Sequence, residues 1–314
     1  MIEDLPAGRL FCFGLGYTAG RLARILAERG WIVGGTCQGL EARAELAAKG
    51  IEALLFDGAK PLAKPAAGLD GVTHILSSVP PGIHGDPVLA HHAGDIAACR
   101  ELRWVGYLST TGVYGDTGGA EVDEAAPLDP TSERGRRRVD AEAAWLRLHN
   151  EHGVPVHVFR LAGIYGPGRS ALDQVRAGAA RRIDRPGHAF SRVHVDDISA
   201  VLRASITHPD PGAVYNVCDD EAAPPADVVT LACELLGIEV PPSVPFEDAA
   251  ADMSPMALSF WHDNRPLCIG AIASAPPHHC CNSTTVAPPR KAPSTSINNI
   301  GTSSLTATSS LTTC

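Results

Sequence analysis

The chain has 314 residues, of which 45% are hydrophobic and 19% charged, so it is long enough to bury one large core or two modest ones. Its formal net charge of −9 argues against nucleic acid as the main partner, because phosphate backbones bind to basic surfaces. No apolar run approaches membrane-spanning length, and the acidic start Met1-Ile2-Glu3-Asp4 is unlike a signal peptide. The five cysteines before residue 266 lack the spacing of metal ligands. Together these features predict a cytoplasmic protein with a small-molecule partner and no membrane or nucleic-acid partner. They leave the oligomeric state open.

The stretch from Arg9 to Gly30 combines three elements in a diagnostic order. Leu10 to Phe13 is a short apolar run typical of a buried strand, and Gly14 to Gly20 is a glycine-rich turn. A helix follows, with Leu22, Ile25 and Leu26 on one face and Gly30 after its end. Strand, glycine turn and helix are the context in which a G-x-G-x-x-[GA] motif predicts a dinucleotide-binding fold.

Within this motif each small residue has a physical role. Gly14 allows the tight turn, Gly16 lets the backbone approach a pyrophosphate, and Ala19 is small enough for the helix to pack on the strand. The cofactor contacts predicted here are Gly14, Leu15, Gly16, Tyr17, Thr18 and Ala19.

Further strands are predicted at residues 31–36, 53–56, 74–79 and 104–109, with helices at 40–49 and 87–102. Strands separated by helices of this length predict an α/β fold, a Rossmann-type doubly wound parallel sheet with helices on both faces. Cofactors in such sheets bind beyond the carboxyl ends of the strands. The residues predicted to contact the cofactor there are Asp57, Ser78, Val79, Pro80 and Ser109. Asp57 before Gly58 is also typical of a plain turn residue.

The choice between NAD and NADP depends on the end of the second strand. An acid there usually holds the ribose 2′-hydroxyl of NAD, and this chain has Thr36-Cys37-Gln38 instead. Gln38 could bond a ribose hydroxyl, and Arg43 could reach a 2′-phosphate. The cofactor is therefore predicted to be NADP or NAD, with NADP slightly favoured.

Four later blocks resemble those of extended short-chain dehydrogenase/reductases, the NAD-dependent epimerase/dehydratase family. They are S-[ST]-x-x-V-Y-G at 109–115, R-x-x-x-[IV]-Y-G-P-G at 160–168, H-V-D-D-[IV] at 194–198 and [VY]-N-[VI] at 215–217. The resemblance covers about 9–264 and implies an oxidoreductase acting on a nucleotide-sugar or related carbonyl/hydroxyl substrate. It also implies a cofactor domain at 1–165, completed by about 190–205, and small substrate-binding segments within 166–265.

The catalytic Tyr-x-x-x-Lys pair of that family is missing, because none of the five tyrosines has Lys four residues later. Alignment places Arg134 at the Tyr position and Arg138 at the Lys position. At helical spacing with Ala141 and Trp145, both arginines are expected on the inward edge of their helix. Arginine stays protonated and cannot act as acid or base. This departure matches the atypical branch of the family.

The resemblance supplies the remaining site predictions. Thr110 matches the catalytic Ser/Thr that bonds the substrate carbonyl, although a plain strand-end threonine is an equal alternative. The candidate catalytic residues are thus Thr110, Arg134 and Arg138, and the candidate substrate contacts are Tyr114, Tyr165, Arg169 and Arg192. Asp196 is expected as a helix N-cap with His194 beside it. His91-His92 lacks a nearby third ligand, so no metal site is predicted.

Two functions remain open at this point. The intact substrate-side blocks favour an enzyme of epimerase/dehydratase type. The missing Tyr-x-x-x-Lys pair is compatible with a catalytically silent protein that binds the cofactor as a redox sensor or scaffold.

The chain from Pro266 to Cys314 differs in composition from everything before it. All 35 acidic residues precede residue 265, whereas the 49 residues from Pro266 contain 16 Ser or Thr and four of the nine cysteines. No long helical or alternating pattern occurs there. We expect this stretch to be disordered and foreign to the fold, the product of a reading-frame shift near Arg265. A genuine Ser/Thr-rich tail and a zinc site at 278–281 are the alternatives.

Overall fold

The computed structural model describes residues 6–267 of the chain. The strands are β1 Arg9–Phe13, β2 Ile32–Cys37, β3 Glu52–Leu55, β4 His74–Ser77, β5 Trp104–Thr110, β6 Val156–Leu161, β7 Gly163–Tyr165, β8 Ile183–Asp184, β9 Arg192–His194, β10 Val214–Val217 and β11 Val244–Pro245. The helices are α1 Tyr17–Ala27, α2 Leu40–Ala48, α3 Pro65–Leu69, α4 Pro87–Ala97, α5 Glu133–His152, α6 Ala171–Arg176, α7 Val195–Thr207, α8 Pro225–Leu236, α9 Phe246–Ala250 and α10 Pro255–His262.

Within the described residues, seven of the strands form one parallel sheet in the order β10-β6-β5-β4-β1-β2-β3. The chain runs outward from β1 to β3 and then crosses to β4 on the other side of β1. The strand order therefore reverses between β1 and β4. Parallel sheets of this type bind ligands at such a reversal. The predicted α/β, doubly wound fold class is confirmed.

Alternating side chains of β1 explain why helices cover both faces of the sheet. Leu10 and Cys12 are buried in the cluster that contains the apolar face of α1, whereas Phe11 and Phe13 are buried in the cluster that contains Trp145 of α5. Because successive strand residues point to opposite faces, a strand that is apolar throughout requires cover on both sides.

Some of the elements outside the large sheet form two smaller apolar clusters. Helices α6 and α8 pack together around Val175 and Cys233. Trp261 of α10 packs with Ala249 of α9 and Ile183 of β8. These pieces lie within 166–265, the range in which the substrate-binding segments are predicted. Strand β10 lies in the same range but joins the large sheet beside β6, contrary to the predicted assignment of that range.

Two other expectations differ from the structure at element ends. Helix α4 ends at Ala97 rather than Leu102. Pro266 and Leu267 contact the fold, since the Val122 N–H donates to the Pro266 carbonyl at 3.1 Å and the Leu267 N–H donates to Ser191 Oγ at 3.1 Å. Pro266 and Leu267 are therefore not disordered, contrary to expectation, and the rest of the predicted foreign stretch lies outside the described residues.

In the described part of the chain, no helix combines the length and the apolar character needed to cross a bilayer.

Candidate functional site

The glycine turn after β1 is held in place by the ends of two neighbouring strands. The Gly14 N–H donates to Thr36 Oγ1 at 2.8 Å, and the Leu15 N–H donates to the Thr36 carbonyl at 2.8 Å. Ser78 Oγ donates to the Gly14 carbonyl at 2.6 Å. Gly14 has φ of +85°, a conformation that side chains with a Cβ rarely adopt. The sequence therefore uses glycine here because the turn requires it.

Gly16 plays a different part, because its backbone is extended and its surroundings are open. It is the N-cap of α1 and provides no side-chain cap. A Cβ built on Gly16 would meet no protein atom within 4 Å. Ala19 is fully buried one turn into the helix, as its predicted packing role requires. The first turn of α1 therefore presents its N–H groups toward open space, which suits an anion.

A cleft of about 230 Å³ opens directly above this helix start. Its lining consists of Gly16, Tyr17, Thr18, Ser78, Leu108, Ser109, Arg138, Leu161, Ile164 and Arg169. The set includes residues from α1, β5, α5 and the carboxyl ends of β4 and β6. Two arginines and no carboxylate line the cleft, so its charge is positive.

Several predicted cofactor contacts lie around the cleft rather than in its lining. Leu15 and Ala19 lie behind the turn, while Val79 and Pro80 continue from Ser78 beyond β4. Gln38 is exposed after β2, and so is Arg43 in α2.

Asp57 lies exposed beyond β3 and makes a local turn contact. Its Oδ1 accepts a hydrogen bond of 2.9 Å from the Ala59 N–H. This contact is the one expected of a plain turn residue. A role for Asp57 in binding the cofactor stays a prediction.

The two arginines that replace Tyr and Lys differ in burial, since Arg138 is half-buried and Arg134, one turn earlier in α5, is exposed. Arg138 reaches the cleft, where Nη1 donates to the Leu108 carbonyl at 2.8 Å and to the Tyr107 hydroxyl at 3.1 Å. Arg134 is exposed, and Gly135 is buried in its place. The expectation that Arg134 shares the inward edge is wrong, because Gly135 packs against the Gly112 carbonyl and Pro130, which leave no space for a Cβ.

Thr110 and Ser109 end β5 with their hydroxyl groups in different contacts. Thr110 Oγ1 accepts from the Gly112 N–H at 3.2 Å and so caps the short 3₁₀ turn Thr111–Val113. Ser109 Oγ donates to Glu142 Oε1 at 2.5 Å. The cap gives the Thr110 hydroxyl a structural role, and a catalytic role for Thr110 stays a prediction.

A buried ion pair behind the cleft was not predicted from the sequence. Arg160 and Glu142 are 5% and 2% exposed, and Arg160 Nη2 lies 2.9 Å from Glu142 Oε2. Arg160 Nη1 also donates to the Tyr114 hydroxyl at 2.8 Å, which itself donates to Asn216 Oδ1 at 2.7 Å. A charged residue inside the apolar run of β6 was the available sign that a buried partner exists.

The same network decides where the predicted substrate contact Tyr114 lies. Its side chain is 2% exposed and is outside the cleft lining. Burial raises the pKa of Tyr114, while Arg160 opposes that shift. The structure thus does not bring Tyr114 to the cleft.

Tyr165 and Arg192 form a second group beside the first. The Tyr165 hydroxyl is hydrogen-bonded to Asp219, and burial together with this carboxylate raises the pKa of Tyr165 well above its usual range. Arg192 Nη1 donates to the Phe190 carbonyl at 3.0 Å and to the Ala223 carbonyl at 2.9 Å. Burial lowers the pKa of Arg192. Neither side chain lines the cleft.

The start of α7 also differs from expectation. His194, not Asp196, is the N-cap, because His194 Nδ1 accepts from the Asp196 N–H at 3.2 Å. Asp196 instead pairs with Arg21 of α1. This ion pair ties the cofactor-turn helix to α7.

The adjacent histidines of α4 have structural partners. His91 Nε2 lies 3.1 Å from the Gly58 carbonyl, and His92 Nε2 accepts from the Leu62 N–H at 3.1 Å. Among residues 6–267 no group of three His, Cys, Asp or Glu side chains is arranged to hold a metal ion.

Comparisons with known proteins bear on this site. The profile of the NAD dependent epimerase/dehydratase family matches residues 95–218. Protein YeeZ of Escherichia coli strain K12 is 31% identical over 241 residues, which span 73% of this chain and 84% of that protein.

Solved structures are similar over a comparable span. A conserved protein of unknown function from Silicibacter pomeroyi is 52% identical with a TM-score of 0.76, covering 84% of this chain and 90% of that one. The dTDP-glucose 4,6-dehydratase of Bacillus anthracis, solved in complex with NAD, is 16% identical with a TM-score of 0.67, covering 85% and 89%. At that identity the second likeness shows a shared fold.

Proposed function

This chain belongs to the NAD-dependent epimerase/dehydratase family, and on that premise we propose that it is a cytoplasmic NAD(P)-binding oxidoreductase. Its substrate is a nucleotide-sugar or a related small molecule with a carbonyl or hydroxyl group. The observation that carries the proposal is the open helix start at Gly16, which adjoins a positively charged cleft.

The residues present fit a dinucleotide on structural grounds. A Cβ at Gly16 would project into open space at the first turn of α1, so glycine there keeps room for a ligand rather than for protein packing. The uncapped N–H groups suit the negatively charged pyrophosphate. Gln38 stands at the end of β2, where NAD enzymes usually have a carboxylate, and together with Arg43 it favours NADP slightly over NAD.

When bound, the dinucleotide supplies or accepts hydride. The chain's own side chains then orient the reactants. Arg138 is anchored to the Leu108 carbonyl, which leaves the rest of its guanidinium available at the end of β5. Ser109 is fixed by Glu142, so its oxygen lies at a defined position in the lining. A charged guanidinium polarises a carbonyl oxygen without titrating.

A second function is favoured by one specific feature of the cleft. Its lining contains no Asp, Glu, His, Lys or Cys, and its single tyrosine, Tyr17, donates to the Pro167 carbonyl at 3.2 Å. A lining whose one phenol is bonded to a backbone carbonyl is compatible with a silent cofactor-binding sensor or scaffold. The two functions share the cofactor and differ in turnover.

The experiment that separates them combines the oxidised dinucleotides with a panel of UDP- and dTDP-hexoses, and the reduced dinucleotides with the corresponding keto sugars, and follows nicotinamide absorbance. The enzyme proposal expects turnover that falls at least tenfold in Arg138→Met, a change of about 1.4 kcal/mol in the barrier. Arg134→Ala is a comparison variant, and its exposed position predicts a smaller effect. Binding without turnover across the panel would favour the sensor, and failure to bind either dinucleotide would exclude both.

A further inference from the structure

Arg169 lies in the loop after β7, but its guanidinium reaches the start of α1. Its Cζ is 5.7 Å from the centroid of the Tyr17 ring, a cation–π distance. Arg169 lines the same cleft as Gly16, Tyr17 and Thr18. A residue distant in sequence therefore faces the first turn of the cofactor helix.

The loop that carries Arg169 packs against this helix at the Tyr17 hydroxyl. The Tyr17 hydroxyl donates to the Pro167 carbonyl at 3.2 Å. Gly166 has φ of +150°, and a Cβ there would lie 2.6 Å from the same hydroxyl, so only glycine allows this approach. The Arg169 N–H donates back to the Gly166 carbonyl at 2.9 Å and closes the turn. The position of Arg169 beside α1 thus follows from backbone geometry.

Charge distinguishes Arg169 from other arginines near the site. Arg21 pairs with Asp196, Arg160 pairs with Glu142, and Arg192 donates to two carbonyl oxygens. In the described part of the chain, the Arg169 guanidinium has neither an ion pair nor a hydrogen bond to an acceptor. No carboxylate lines the cleft. The guanidinium therefore faces the cleft uncompensated.

We propose that Arg169 binds the pyrophosphate of the dinucleotide together with the first-turn N–H groups of α1. The Tyr17 ring is the platform that holds the guanidinium in place. This inference rests on the proposed cofactor. It reassigns Arg169 from the substrate's nucleotide, the role expected from family resemblance, to the cofactor.

One anion in the cleft can satisfy two otherwise unmatched positive groups. Helix N–H groups and an arginine that line the same cleft both favour negative charge. Guanidinium binds phosphate oxygens in two parallel hydrogen bonds, whereas lysine acts as a single point charge. The affinity should consequently depend on arginine itself as well as on its charge.

The test measures the dissociation constants of NADH and NADPH by calorimetry for the full chain. Arg169→Gln should raise both constants at least tenfold, which corresponds to about 1.4 kcal/mol, and Arg169→Lys should recover part of the loss. Arg176→Gln is the matched control, because Arg176 is 59% exposed on α6 and pairs with Asp173 away from the cleft. It should bind like the parent protein. Circular dichroism verifies that every variant is folded.

Competition identifies which part of the cofactor Arg169 contacts. Inorganic pyrophosphate should displace NADH from the parent protein and do so at least tenfold less well from Arg169→Gln, while adenosine should bind both equally. Constants for Arg169→Gln within twofold of the parent would overturn the inference and leave the proposed function standing. Failure of the parent protein itself to bind either dinucleotide would overturn the proposed function.

Discussion

Ser78 Oγ donates a 2.6 Å hydrogen bond to the Gly14 carbonyl oxygen. A Cβ built on Gly14 would lie 2.8 Å from Ser78 Oγ. Gly14 also has φ of +85°. Gly14→Val should therefore lower the free energy of unfolding by about 2 kcal/mol or more, through backbone strain and the collision with Ser78. Urea denaturation measures the loss.

Gly16→Val is the matched control for stability. Its backbone is extended and its Cβ would meet no atom within 4 Å, so the unfolding free energy should change by less than about 0.5 kcal/mol. Equal destabilisation of the two variants would contradict the distinct roles assigned to the two glycines.

The buried pair of Arg160 and Glu142 should dominate stability at the end of β5. Glu142→Leu leaves the Arg160 charge buried without its carboxylate partner and should cost about 3–5 kcal/mol, measured by chemical denaturation. The double variant Glu142→Leu, Arg160→Met removes both charges and should be less destabilised than the single one.

A surface pair provides the control for that experiment. Glu133 is 62% exposed and contacts Arg136 and Arg137. Glu133→Ala should leave the denaturation midpoint unchanged. A double variant less stable than Glu142→Leu would show that the buried pair contributes through something other than charge compensation.

His74 should make the protein less stable in acid. Burial lowers its pKa from 6.5 to about 4, and its ring lies 4.7 Å from that of Trp31. Because the unfolded chain binds this proton more readily, stability is full above pH 6.5 and declines as the pH falls toward 4. The loss from this residue is at most about 3 kcal/mol.

His74→Gln tests this dependence in urea titrations across that pH range. The variant should have a flatter profile than the parent protein, with a remaining slope from His157 and His188, whose pKa values burial also lowers. Parallel profiles would show that His74 does not contribute.

The fold was predictable because its main pattern is local, whereas part of the site depends on long-range packing. The apolar run of β1 and the glycines that follow it specify a strand, turn and helix by themselves. Helical spacing placed Arg134 on the buried face of α5, but the buried residue is its neighbour Gly135. Glycine adds nothing to an apolar pattern, so the pattern did not indicate that Gly135 packs against Pro130 and the Gly112 carbonyl. Arg169 reaches Tyr17 through a loop whose path depends on Gly166. No spacing in the sequence encodes that contact.

The composition change near residue 265 gives a prediction about the gene. All 35 acidic residues occur before that point, so a neighbouring reading frame of the coding DNA beyond it should encode charged sequence with helical periodicity. Sequencing the gene tests this. The frameshift idea fails if neither alternative frame contains such a pattern.

Titration of NADH and NADPH against the parent protein and Gly16→Val tests whether the cleft above Gly16 binds a nicotinamide dinucleotide. At least one dinucleotide should bind the parent protein. Gly16→Val, with unchanged unfolding free energy, should not bind, because its side chain occupies the space of the pyrophosphate. Absence of binding to the parent protein, or equal binding to the folded variant, would contradict dinucleotide binding in this cleft.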